Sequence, residues 1–361
     1  MKLSLCKTTD FERLGILWRD LEARADASFF QSWDWTGCLA EERFRNPIVL
    51  EARDGNRVVA LALFNQILSS SRRSTLCLGE SGNPERDDIF IEKNGILVER
   101  GTPAELLVAC LETARRADLD TPAPHILRLS GVDEKHLVAV RTCDPTIQIR
   151  TLCSPSINLE PLRRSNTTAL QITSRNTRYQ IRRSERKYAA FGPLQIKRAE
   201  NAEEAQSFLT ELARLHQRYW RRRGRPGAFA NSWFERFHRA LINRAFQSGG
   251  TDLLQLTAGP KIAGYLYNFV FQGHVSAYQS GFDYDLSDPH LKPGLTAHHL
   301  AIEMYLREGA RSYDFLAGAD RYKVSLSTTS VPMHWIESGR TGLPAAFIRM
   351  IRTIRNRLWA C

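Results

Sequence analysis

One order of elements occurs twice along this chain, and that repetition constrains the fold more than any single motif. Strand, helix, helix, three strands, loop, helix, strand is the reading of residues 2–152, and the same order returns over residues 194–337. In the first pass residues 2–7 alternate as a strand. Phe11, Leu14, Leu17, Trp18 and Leu21 then repeat at helical spacing. A second helix is expected at 32–44, then strands at 47–53, 57–68 and 74–78. The stretch 79–101 is irregular. A helix opens at Thr102-Pro103, with Glu105 as capping partner. A strand at 125–130, a short helix at 133–141 and an extended run near 146–152 follow.

The second pass begins with a strand at 194–199 and a helix capped by Asn201, with Ala205, Phe208, Leu209, Leu212 and Tyr219 on its apolar stripe. Another helix starts at Ser232 and stops at Gly249-Gly250. Strands are expected at 252–257, 261–271 and 275–280, then a helix at 295–308 and strands at 311–316 and 331–337. Helices grouped before and after an antiparallel run indicate an α/β fold of the mixed (α+β) sheet kind. The expected division is two tandem domains, 1–165 and 166–340, followed by a basic amphipathic helix over 341–361. A length of 361 residues agrees with two domains.

The formal net charge is +11, so the surface favours polyanions: nucleic acid, anionic membrane, a phosphorylated cofactor or an acidic carrier protein. Arg175, Arg178, Arg182, Arg183, Arg186 and Lys187 fall in one segment, read as a solvated basic helix or a contact for a polyanionic donor. In the tail, Phe347, Met350, Ile351, Ile354 and Leu358 share a helix face that can pack on its own domain or lie on a membrane. The seven cysteines form no CxxC pair and read as reduced thiols. No apolar run approaches the roughly 18 residues of a membrane span. The N-terminal MKLSLCKTTDFERL lacks the apolar core of a signal peptide. The expected location is cytoplasmic, with peripheral membrane contact through 343–360 as an option. No metal-ligand spacing is present, and no DNA partner is expected.

Lys292-Pro293-Gly294 immediately precedes a helix, whose first amides suit an anion. YQSGFD (278–283), KPG (292–294), YDFLAG (313–318) and YK (322–323) follow one another in that order, and FQSWDW (30–35) and Asp87-Asp88 stand in the first half. With these motifs the chain resembles the GNAT acyltransferase fold, and more narrowly the CelD-like/BioF2-like group, which pairs two GNAT-like domains and is related to the FemABX transferases.

The resemblance implies that Lys292, Pro293, Gly294, Leu295 and Thr296 hold the pyrophosphate of coenzyme A. Here the loop departs from the family's pattern, with Gly294 as its one glycine. Three donors stay open: acyl-CoA, the phosphopantetheine of an acyl-carrier protein, and aminoacyl-tRNA. The first half has GTP (101–103) at the corresponding place and no basic residue, so it reads as a degenerate donor site. The resemblance also makes Tyr322 the acid for the leaving thiolate and Lys323 an oxyanion or phosphate contact, with Asp314 positioning Lys323 or bridging to it. For the base, His298, Asp283 and Glu303 are candidates. Trp33, Trp35, Tyr278 and Asp283 are candidates for the acceptor side, the tryptophans reading equally as core aromatics. The expected activity is N-acyl transfer from an acyl thioester to a small-molecule amine, in polysaccharide or lipid biosynthesis. The alternatives are a FemABX-like aminoacyl-tRNA-dependent transferase and a non-catalytic polyanion-binding protein.

Overall fold

The computed structural model describes residues 1–68, 74–116, 126–145, 147–285, 288–318 and 320–339. In chain order the elements are β1 (Lys2–Lys7), α1 (Phe11–Arg24), α2 (Trp33–Arg43), β2 (Pro47–Asp54), β3 (Arg57–Leu68), β4 (Ser74–Leu78), β5 (Leu97–Val98), α3 (Ala104–Arg115), β6 (Ile126–Val132), α4 (Glu134–Cys143) and β7 (Ile147–Asn158). Then come α5 (Glu160–Arg164), α6 (Ala169–Ile172), α7 (Arg175–Ala189), β8 (Leu194–Arg198), α8 (Ala202–Arg221), α9 (Ser232–Ala245), β9 (Thr251–Ala258), β10 (Lys261–Phe271), β11 (His274–Phe282), α10 (Pro293–Arg307), β12 (Ser312–Asp314), α11 (Arg321–Leu326) and β13 (Thr329–Gly339). The fold is mixed α/β, as the sequence indicates. The tail helix expected over 341–361 lies outside the described residues.

The chain forms two compact units, one of Met1–Leu152 with the described residues from Pro332, the other of Cys153–Val331. In the first unit the strands run β1-β2-β3-β4-β6-β13, with β4 and β6 parallel and the other neighbours antiparallel. The strand at 331–337, expected to finish the second domain, therefore pairs from His334 onward with β6 in the first unit. It covers what would otherwise be an open edge of β6. Alternation along β2 and β3 turns Ile48, Leu50, Ala52, Ala60, Ala62 and Phe64 into one core with Leu106, Cys110, Leu111 and Ala114 of α3. Trp33 and Trp35 are buried near α1, the Trp33 ring 5.8 Å from Trp18 and the Trp35 ring 4.7 Å from Phe30.

The parallel pairing of β4 with β6 ends at Leu78–Leu129. Asn94 fills the split beyond: its Nδ2 donates to the Leu78 carbonyl (3.0 Å) and its backbone N–H to the Gly131 carbonyl (3.0 Å). Gly131 has φ +65°, and a Cβ there would stand 2.7 Å from Glu92 Cα, so this close backbone approach needs glycine.

In the second unit the strands run from the Cys153–Asn158 half of β7 through β12, β11, β10 and β9 to β8. Alternation again sorts the faces. Leu254, Leu256, Ala263 and Leu266 share a core with Ile181 and Tyr188 of α7 and Ala297, Ala301 and Ile302 of α10. On the other side Tyr265 meets Phe208 of α8, and Tyr267, Phe269 and Tyr278 surround His238 of α9.

Candidate active site

The site begins where two parallel strands separate. β11 and β12 are joined over three residue pairs, His274–Ser312 to Ser276–Asp314. Beyond them β11 continues to Phe282 alongside β10, with Tyr278 as the extra residue of a bulge opposite Tyr267 and Asn268. β12 turns the other way. The N–H groups of Phe315 and Gly318 donate to the Pro155 (2.9 Å) and Cys153 (3.4 Å) carbonyls, toward β7 and away from β11. Leu316 sits at φ +60°, and its N–H donates to Asp314 Oδ1 at 2.7 Å, a local bond that supports this unusual conformation. Asp314 also accepts from the Ser154 hydroxyl. Its carboxylate is thus occupied in shaping the 315–318 turn rather than in pairing with Lys323.

α10 starts at Pro293, whose fixed φ and missing N–H suit a first helical position. The first-turn amides of Gly294 and Leu295 have no carbonyl within the helix to bond, so this end carries partial positive charge. Ser184 of α7 fixes it in place. Its hydroxyl oxygen accepts the Lys292 N–H (3.0 Å) and lies 2.8 Å from the Thr296 hydroxyl. The Lys292 side chain is exposed. Gly294 is overlain by Phe282, whose ring edge lies 3.2 Å from where a Cβ would stand.

α11 supplies the remaining groups. Lys323 Nζ donates to the Ala317 carbonyl at 2.8 Å and lies 3.9 Å from Asp320 Oδ2. Its side chain is 11% exposed. Gly318, at φ +124°, leaves room beside it: a Cβ there would be 3.3 Å from Nζ. Burial raises the Asp320 carboxyl above its ordinary range, and the Lys323 charge pulls it back. Tyr322 is half-buried and stacks on His298, ring centres 5.1 Å apart at 16°. Phe282 closes the same group, 6.4 Å from His298.

His298 Nδ1 lies 2.8 Å from the Tyr313 hydroxyl. Burial first, and the Lys323 charge second, push His298 down to about 3. Burial also pushes the Tyr313 phenol upward, so that phenol stays protonated. A neutral imidazole with so weak a conjugate acid is a poor base near pH 7, and its face serves as a platform for Tyr322.

Residues 175–324 match the family model described as an acetyltransferase (GNAT) domain. That segment holds the α10 N-terminus, Phe282, Asp314, Tyr322 and Lys323. No curated protein matches the chain. Among solved structures the chain is similar to FemX over 97% of its own length and 100% of that chain, at TM-score 0.62 and 10% identity. L-PGS from Bacillus licheniformis is similar at TM-score 0.53 and 9% identity, covering 96% of each chain. A conserved protein of unknown function from Bacteroides thetaiotaomicron VPI-5482 is similar at TM-score 0.54 and 9% identity, over 94% of this chain and 100% of that one. At these identities the likeness concerns the fold.

Within the matched segment, the structure brings Gly294, His298, Tyr322 and Lys323 together with the Asp314 turn. Thr296 lies beside them but is fully buried, its hydroxyl engaged with Ser184. Other candidates lie elsewhere. Tyr278 is 8% exposed, its hydroxyl 3.0 Å from His238 Nε2 in the aromatic layer. Asp283 pairs with Arg218 at 2.6 Å. Glu303 caps α6, accepting the Ala169 N–H at 2.8 Å. Trp33 and Trp35 belong to the core of the first unit. Sequence reasoning missed Phe282, Ser184 and the Ala317 carbonyl. Phe282 was inside the quoted YQSGFD motif, whereas a backbone carbonyl leaves no trace in a sequence. Tyr322 and Lys323 lie between the strands expected at 311–316 and 331–337, on a six-residue helix whose buried positions, Lys323 and Leu326, are spaced by three.

Proposed function

We propose that the GNAT domain transfers an acyl group from a thioester to an amine. The carrying observation is the split between β11 and β12, bordered by the unbonded amides of α10 and by the Lys323 ammonium. In this reading Lys292, Gly294 and Leu295 receive the donor's phosphate, while Pro293 and Thr296 set the helix start. Phe282 gives the donor a flat wall. The amine forms its C–N bond as the C–S bond breaks, its proton passing to water. Lys323 steadies the carbonyl oxygen as it gains charge, and Tyr322 protonates the leaving thiolate. Asp314 and His298 position these two rather than exchange protons. Acyl-CoA is the donor favoured by the family match, with an acyl-carrier protein as a variant. An amine acceptor from polysaccharide or lipid biosynthesis follows from the CelD-like resemblance alone.

One observation favours a second reading, aminoacyl transfer from tRNA. Arg175, Arg182 and Arg186 are exposed on α7, the helix that fixes the α10 N-terminus through Ser184. The whole-length fold likeness to FemX and L-PGS agrees with it. Isothermal titration of the full chain with coenzyme A, acetyl-CoA, an acyl-carrier protein and aminoacyl-tRNA separates the readings. Binding of any thioester carrier at micromolar concentration supports the first. Tight, salt-dependent tRNA binding with no response to the others overturns it in favour of the second.

A further inference from the structure

A cavity of about 210 Å³ lies at the C-terminal end of α8, lined by Arg218, Tyr219, Arg222, Arg223, Phe282 and Tyr284. Among the described residues its charge does not balance. Arg218 pairs with Asp283 (2.6 Å) and Asp285 (2.7 Å), and Arg222 pairs with Asp285, so three guanidinium groups face two carboxylates. Arg223 lies over the Tyr219 ring, 3.7 Å from its centre. Tyr284 is 48% exposed and stands 4.8 Å from Tyr219. The backbone carrying Arg223 is pinned: its N–H and that of Arg225 donate to the Trp220 carbonyl (2.9 and 3.0 Å), and Gln217 Nε2 donates to the Pro226 carbonyl (2.8 Å). Guanidinium groups in excess of carboxylates, beside a partly exposed tyrosine ring, suit an oxyanion attached to a planar group. Phe282 belongs both to this lining and to the cover over Gly294 at the start of α10.

We infer that this pocket receives a carboxylate or phosphate carried by the amine acceptor, next to a planar ring, with Phe282 dividing it from the donor. The inference rests on the acyl-transfer reading for the word acceptor and on the pocket alone for its chemistry. Calorimetric titration of the full chain with phenyl phosphate, benzoate and phenol tests it without turnover. One or both anions are expected to bind at least about tenfold more tightly than phenol, and the tighter of the two identifies the anion. Arg223→Gln should bring the anions to the level of phenol at an unchanged melting temperature, whereas Arg221→Gln, outside the lining, should leave them as in wild type. Saturating coenzyme A should change the anion affinity by less than about twofold. Equal binding of all three probes, full anion binding by Arg223→Gln, or displacement by coenzyme A overturns the inference. If coenzyme A fails to bind while the Arg223→Gln effect persists, the pocket stands and the donor reading falls.

Discussion

The two units meet the same structural problem in opposite ways. Each contains a parallel strand pair that separates after a few residues, β4–β6 in one and β11–β12 in the other. In the first unit the chain plugs its own split with Asn94, which bonds both strands, and with a Gly131–Glu92 contact too tight for any side chain. In the second unit the turn after β12 bonds toward β7, and aromatic rings and a lysine border the place that is left. The helix following each split differs as well. α3 has Glu105 in its first turn, which opposes an anion, whereas α10 has no acidic residue there and is preceded by Lys292. This difference is why we propose the second split, and not the first, as the site.

If the second unit carries the chemistry, Lys323→Ala should lower turnover by roughly 10²–10³-fold, the usual effect of losing one oxyanion donor. Donor affinity measured by titration should stay within a few-fold, and wild-type turnover would remove Lys323 from the site. The reverse holds for the plug. Gly131→Val places a branched side chain at positive φ against the Glu92 backbone, for an expected loss of about 2–4 kcal/mol in denaturant unfolding. Donor affinity at a temperature where the variant is folded should not change.

Acidity should divide the units too. In the second unit burial lowers His216 and His299 to about 4 and His298 to about 3, so the unfolded chain binds more protons below pH 6.5. That contribution to stability is complete above pH 6.5 and is lost as pH falls through 4 toward 3. In the first unit burial raises Glu22 and Glu80 to about 7, so the folded state holds protons that the unfolded chain releases above about pH 4.5. That contribution is present below pH 4.5 and lost as pH rises through 7. Hydrogen exchange at pH 5 and pH 8 should show the second unit losing protection at the lower pH and the first at the higher, by about 1–2 kcal/mol each. The opposite assignment would break the contrast. The smallest effect is expected from Ser184→Ala, which removes the acceptor for the Lys292 N–H and the partner of Thr296. A loss of about 1 kcal/mol in stability is expected, with donor affinity falling a few-fold. Unchanged donor affinity would mean that α7 does not hold the α10 start in its working position.

Most of the fold was legible because alternation and caps are local. β2, β3 and β9 to β11 follow their apolar patterns, and Asn201 caps α8 through the Glu204 N–H as its spacing implies. The pairing of β13 with β6 was not, since nothing local in residues 331–337 specifies a partner about 200 positions away. At the site, KPG and YK mark the helix start and the lysine. Asp314 holds the turn after β12 and Glu303 the start of α6, bonds that residue spacing alone does not report. A carboxylate that caps a turn or a helix looks, in a sequence, like one that pairs or takes a proton. Trp33, Trp35 and Tyr278 are aromatic residues whose burial depends on packing across elements, which spacing does not report.

The direct test of the contrast is the number of donor molecules bound per chain. Titration of the full chain with acetyl-CoA should give one site, unaffected by Asn94→Ala and weakened by Gly294→Val, which crowds Phe282 at the start of α10. Two sites per chain, or one site lost in Asn94→Ala and kept in Gly294→Val, would contradict the account.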